Sequence, residues 1–247
     1  MRQMVLFIIL LLSAASFSHI EGTEEGPSGT VWARLGIPEP LNVLYLVSLV
    51  SGFSLFYAVF VKNTSEQTKK IVYFFIAAPI VIGTIYLAAS TVYMNLTSET
   101  GGPVHWHADY EIWACGIQYS LGDPMGMENR VGSSAIHEHN DNRIHVEGVL
   151  LNKSEASLRN FFVQVGGNFD EDSLTLPTSE GVYTWNNRDK CNGKSAKWYV
   201  FVNDELNEDP HDYVISPWSN VPPGDRIKFV FTEKNLSQIN TTLGGPP

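Results

Sequence analysis

The stretch VHWHADYEIWAC, residues 104–115, alternates without a break. Trp106, Ala108, Tyr110, Ile112 and Ala114 share one parity; His105, His107, Asp109, Glu111 and Trp113 share the other. Period two among β-formers predicts a strand with one face in a core and the other carrying imidazoles and carboxylates. Downstream, IHEH (136–139) and RIHVEGV (143–149) flank Asn140-Asp141-Asn142, which reads as a β-hairpin. A three-residue loop with a left-handed Asn puts His137 opposite His145 and His139 opposite Arg143. Directly opposed residues share a face, so His137, His139 and His145 gather while Ile144 and Val146 turn to the core. A two- or four-residue loop turns His145 away.

Beyond the hairpin, Ser154 is expected to cap a helix whose Leu158, Phe161, Phe162 and Val165 recur at helical spacing, with Gly166 closing it. Residues 198–202 read as a strand. So do residues 225–232, opened by the turn residues Pro222, Pro223 and Gly224. The expectation for residues 97–243 is an α+β domain, mainly an antiparallel sheet with one packed helix. Its closing strands are similar to the end of β-grasp domains. The tail 244–247 is expected to be disordered.

Before this domain the chain turns apolar. Residues 41–61 and 71–94 carry no charge, and each run is long enough to cross a hydrocarbon core about 30 Å thick. Pro79 interrupts the second run. No ionisable group sits in either, so they read as an anchor, or as a packing surface for other membrane subunits, rather than as a transport path. The link 62–70 contains Lys62, Lys69 and Lys70 and is expected in the cytoplasm. Residues 1–22 resemble a secretory signal peptide, with Arg2, an apolar run at 4–12 and small residues at 13–16; an uncleaved short anchor is the alternative. Both signals place the domain on the extracytoplasmic side of a two-pass protein. Sequons at Asn95, Asn152, Asn235 and Asn240 are then glycosylation candidates, and the one at Asn63 is expected to stay unmodified.

Of 16 basic and 26 acidic residues, five of each precede Thr97, so the whole net charge of −10 lies in the C-terminal part. That balance argues against a nucleic-acid partner, since little would neutralise phosphates. The two cysteines, Cys115 and Cys191, are 76 residues apart and in an oxidising compartment are expected to form one disulfide; a thiolate metal pair is the rival reading.

Five of the seven histidines fall within residues 105–145: His105, His107, His137, His139 and His145. Residues i and i+2 of a strand point the same way, so each His-x-His can present two imidazoles side by side. Neutral imidazole suits zinc, copper, nickel or iron. Asp109, Glu111 and Glu147 share these faces as further ligands or as carboxylates that fix imidazole tautomers. The bland alternative is a solvated face, or an ion-pair network without metal. His211 lies in an acidic loop where surface exposure is expected, and Met125 and Met127 are possible thioether ligands for Cu(I) in a loop that needs no such role.

On HWHADYEIWACG and HEHNDNRIHVEG, spanning about residues 102–231, the chain resembles a group of membrane-tethered extracytoplasmic proteins of archaea and some small-genome bacteria. The resemblance implies a location and a candidate metal site, with no assigned activity. Three functional readings follow. One is a non-enzymatic zinc- or copper-binding module, or an accessory subunit of a larger membrane complex. Another is a zinc-dependent hydrolase or lyase whose three imidazoles leave one position open; two ligands on one strand and one on the next is similar to the arrangement in α-type carbonic anhydrases, though the rest of the sequence does not match them. The last is a structural or interaction domain that binds no metal. The sequence has no GxSxG, no HExxH and no phosphate-cradling glycine loop, which leans against catalysis.

Overall fold

The computed structural model describes residues 30–124, 129–215 and 224–247. The leader reading for residues 1–22, and Met125, Met127, Pro222 and Pro223, lie outside the described residues. A short helix α1 (Val31–Arg34), capped by Thr30, leads to the long helices α2 (Pro40–Phe60) and α3 (Glu66–Thr97). α2 opens with a proline at its first position, where no N–H is needed. α3 outruns its uncharged stretch because Ser65 caps it, accepting from Thr68 N, and Glu66 pairs with Lys69 at 2.8 Å. At 1.5 Å per residue its 32 residues span about 48 Å.

The two helices pack on each other where side chains are small. A β-carbon on Gly83 would come within 2.8 Å of Val47 Cγ2, so only glycine allows this approach. Ser51 Oγ donates to Ile76 O at 3.3 Å, one turn before Pro79, which has no N–H to give. The outer surfaces stay apolar and uncovered: Phe53, Tyr73, Ile82 and Leu96 are all well exposed. Both helices are long and apolar enough to cross a membrane.

The domain that follows is built on a mixed sheet. Its strands are β1 (Pro103–Ala114), β2 (Ile117–Tyr119), β3 (Val131–Gly132), β4 (Ile136–Glu138), β5 (Arg143–Val149), β11 (Lys197–Val202), β12 (Glu205–Asn207) and β13 (Asp225–Thr232). The order is β12-β11-β13-β1-β5-β4-β3, with β2 pairing the end of β1. Every pairing is antiparallel except β1 with β13, the first and last strands, which run parallel at the centre.

The alternation of residues 104–115 is realised as read: Ala108, Tyr110, Ile112 and Ala114 are buried, and the other parity is not. Ile136, Ile144, Val146, Ile227 and Phe229 extend the same core face. The helix covering it, α4 (Leu158–Gln164), buries Leu158, Phe161 and Phe162, with Phe161 on Tyr110 and Phe162 on Phe229.

The helix starts later than expected. Asn152 caps a 3-10 turn over Lys153–Ala156, and Ser157, not Ser154, caps α4 by accepting from Asn160 N. The chain can break there because Leu158 N and Arg159 N donate to Tyr213 O and His211 O, which occupies N–H groups a helix start leaves open. Gly166 follows the helix at φ 84, as expected of its closing residue.

Three strands between α4 and β11 were not anticipated: β6 (Asn168–Phe169), β7 (Ser173–Thr178) and β8 (Gly181–Asn186) form a separate antiparallel sheet. Pro177 within β7 and polar residues throughout masked their period. The short ribbon β9 (Lys190–Cys191) and β10 (Lys194–Ser195) brings Cys191 to Cys115, with Cα atoms 5.2 Å apart, at disulfide-bonding distance.

The C-terminal tail is ordered, contrary to expectation. Lys228 lies opposite Glu111 in the sheet with its side chain 1% exposed, and a buried ammonium needs acceptors. Thr242 O at 2.6 Å and Gly245 O at 2.7 Å supply them, while Gly244 N donates to Glu111 Oε1.

Candidate metal centre

The turn between β4 and β5 decides which way the imidazoles face. Asn140 and Asn142 both take positive φ, at 64° and 55°, a region that Asn tolerates better than most residues. Glu138, buried, accepts from Asp141 N at 2.6 Å and Asn142 N at 2.9 Å. Tyr110 N donates to Asn142 O, which ties the turn to β1. With the turn so fixed, His137 pairs with His145 across β4 and β5, and His107 pairs with His145 across β1 and β5. One row across three strands therefore carries three imidazoles. Replacing Glu138 with Ala should cost about 2 kcal/mol in a denaturant melt, since two backbone donors lose a charged acceptor, and should loosen the turn that aligns His137 with His145.

His105 lies two residues before His107, opposite Glu147. One ligand atom from each of His105, His107 and His145 lies within 4.8 Å of the others. Ring centres are 4.6 Å apart for His105–His107 and 4.8 Å for His107–His145. On the far side of His145 are His139 at 4.9 Å and the stacked ring of His137 at 5.6 Å. All five histidines thus form one continuous patch.

Backbone and carboxylate partners hold the rings. Glu147 Oε1 is 3.2 Å from His105 Nε2, and Asp141 Oδ2 is 3.3 Å from His145 Nε2. A neutral ring that donates Nε2–H keeps its lone pair on Nδ1. His137 and His139 are held the other way: their Nδ1 atoms face Ser133 O at 3.1 Å and Asn129 O at 2.6 Å, which leaves Nε2 as the lone-pair nitrogen. Burial, then the neighbouring His139, pushes the pKa of His137 down to about 4. Burial first, then His145 and His105, lowers His107. Both shifts favour the neutral ring, the form that ligates a metal.

The carboxylates divide. Glu147 stands at the patch. Asp109 is engaged by Arg143 Nε at 2.6 Å, and Glu111 accepts from Trp113 Nε1 and Gly244 N at the tail. Asp141, Glu138 and the carbonyls of Asn129 and Ser133 were missed by the sequence reading. Asp141 had a usable signal, since it lies in the turn four residues before His145.

His211 is half-buried against Phe169 rather than on the surface, and its Nε2 is 3.0 Å from Asp209 Oδ1. With Asp212 it makes a second metal-capable group, but Arg159 Nε already sits 3.2 Å from Asp212 Oδ1. Among the sequons, Asn95 lies in the last turns of α3, Asn152 and Asn235 serve as caps, and Asn240 accepts from Thr242 N.

The chain is thus defined as two long apolar helices followed by a mixed-sheet domain with a five-histidine face. No protein-family model, curated protein or solved structure matches it, which is consistent with a family that carries no assigned activity.

Proposed function

We infer that the chain is a membrane-tethered, extracytoplasmic metal-binding module. In this reading α2 and α3 cross the bilayer, the lysine-bearing link faces the cytoplasm and the sheet domain lies outside. His105, His107 and His145 hold a zinc or copper ion. Three imidazoles that meet within ligand reach, two of them backed by the carboxylates of Glu147 and Asp141, carry the reading. The His105 side chain is 64% exposed, so the site opens on a sheet face rather than in a substrate pocket. That favours capture and delivery, as an accessory subunit of a larger membrane complex would perform it. The parallel pairing of β1 with β13, flanked by β5 and β11, supports the β-grasp comparison.

A zinc hydrolase or lyase is the second reading, favoured by the same three nitrogens if a bound water fills the remaining position. Elemental analysis of the full chain purified in detergent tests the first reading. At least one equivalent of zinc or copper is expected, falling to none after His107→Ala with His145→Ala. Metal-free protein that also refuses added zinc and copper would leave only the structural reading.

A further inference from the structure

The sheet domain is acidic except at one place. Residues 188–197 carry Arg188, Lys190, Lys194 and Lys197 against one acid, Asp189, whereas the rest of the chain after residue 96 holds seven basic and twenty acidic residues. Asn192 and Gly193, at φ 51 and 81, make the tight Asn-Gly turn that closes the β9–β10 ribbon. All four cations are exposed, and among the described residues no carboxylate is within ion-pair reach of any of them. Elsewhere basic groups are matched: Arg143 by Asp109, Arg159 by Asp170 and Asp212, Arg226 by Asp204. Asp189 is taken up locally, accepting from Asn186 N at 2.7 Å.

The register joins these groups into a track. Lys190 pairs with Ser195, Arg188 N donates to Ala196 O at 2.8 Å, and Lys197 pairs with Thr232 on β13. Arg188 stands at φ 82, a strained conformation that persists only where the surroundings impose it. Between the ribbon and the ends of β11 and β13 lies a cleft of about 370 Å³ whose lining includes Arg188, Lys197, Lys234 and Tyr199. Lys197 Nζ sits 4.7 Å from the centre of the Tyr199 ring, and Lys234 gives one donor to Pro247 O. The two acids of the cleft are engaged: Asn187 Nδ2 donates to Asp172 Oδ1 at 3.0 Å, and Asn192 Nδ2 to Glu233 Oε1 at 3.1 Å. Lysines that merely keep a short ribbon from pairing with other strands need neither the cleft nor the engaged acids.

What the ribbon lacks, and where it lies, select the anion. Residues 186–197 offer no exposed apolar side chain, so the apolar centre of a protein interface is missing. β1 begins six residues after α3 ends, and at 3.3 Å per residue its Cys115 end lies about 36 Å from that start, away from the head groups around α3. Three lysines and one arginine spread over a ribbon present point charges rather than one fork, which suits repeated, spaced anions. We propose that the ribbon and its cleft dock an acidic polysaccharide outside the membrane, its carboxylate or sulfate groups meeting Arg188, Lys190, Lys194 and Lys197. The acidic remainder of the domain repels the same polymer and confines it to this tip. The surface lies at the far end of β1 from His105 and His107, and takes from the reading above only the outward placement of the domain.

The test is binding of the full chain, in uncharged detergent, to heparin, polygalacturonate, polyglutamate and neutral dextran, each with and without EDTA. Retention on both acidic polysaccharides at low ionic strength, release by about 0.5 M salt as screening closes to a few ångströms, and no retention on dextran are expected. Lys190→Gln with Lys194→Gln should weaken binding about fivefold or more at an unchanged denaturant midpoint. Lys153→Gln, outside the track, should leave binding as it is. EDTA should change nothing, which separates this contact from capture through an ion on the histidine face. No retention of the parent, retention lost with EDTA, or retention that survives the double variant overturns the proposal. Tighter binding of polyglutamate than of either polysaccharide at equal charge makes the partner an acidic protein and overturns it too. None of these outcomes touches the metal reading, which elemental analysis decides separately.

Discussion

Replacing Gly224 with alanine is expected to cost the domain about 3 kcal/mol or more and to disturb the histidine face at the same time. Gly224 stands immediately before β13 at φ 144, a conformation that side-chain-bearing residues rarely adopt. A β-carbon there would overlap the carbonyl oxygen of His107, a backbone atom that no rotamer change can move. Relief requires β13 to shift away from β1 where Asp225 pairs with Ala108, at the centre of the sheet. Both a strained φ and a displaced central pairing belong to the mechanisms behind large single-residue losses. Because the displaced carbonyl belongs to His107, the imidazole moves with it. Gly148→Ala is the matched control: φ is also positive, at 90°, but nothing lies within 4 Å of the added carbon. It should lose only about 1 to 2 kcal/mol, from backbone strain alone. Denaturant midpoints and zinc retention of the two variants measure the difference. Equal losses in both would mean that the β1–β13 contact tolerates the extra carbon.

Much of this arrangement is legible in the sequence because it rests on local chemistry. The parity of residues 104–115 separates core from solvent face with no tertiary information, since a strand's side chains alternate whatever it pairs with. The Asn140–Asn142 turn has residues suited to positive φ, and its length alone puts His137 opposite His145. What the sequence hides is non-local. The parallel pairing of β1 with β13 joins residues more than a hundred positions apart, and no period announces it. Glu138 alternates onto the face of Ile136, away from the imidazoles, and nothing in the sequence marks it as the buried acceptor that shapes the turn. The late start of α4 depends on carbonyls of residues 211 and 213, so Ser154 and Ser157 look equally able to cap. Lys228 looks like a solvent-facing strand residue until the tail that covers it is in place. For the start of α4 and for Lys228, the deciding partner lies far along the chain.

Removing the covalent link between Cys115 and Cys191 is the other large expected effect, and it bears on which side of a membrane the domain occupies. The pair spans 76 residues. On the chain-entropy account, opening a loop of that size costs about 4 kcal/mol, a large part of the stability of a typical domain. Within the folded domain the ribbon should loosen first. Cys115 directly follows β1, and Cys191 is buried with Ala114, Ala196 and Phe231 in a small cluster apart from the main core. That cluster, with Trp185 and Trp198 packed on it and Asn192 Nδ2 donating to Glu233 Oε1 at 3.1 Å, holds the β9–β10 ribbon against the sheet beside the disulfide. Cys115→Ala with Cys191→Ala should therefore shift the denaturant midpoint strongly, and the strands bearing the histidines should lose protection later than residues 186–197 in hydrogen exchange. Mass analysis without reductant, on protein taken directly from membranes, should find the two residues cross-linked. An extracytoplasmic domain is oxidised, whereas a cytoplasmic one is held reduced. Two free thiols in freshly isolated protein would reverse the proposed orientation, and a double variant as stable as the parent would show that the ribbon is held by its noncovalent contacts alone.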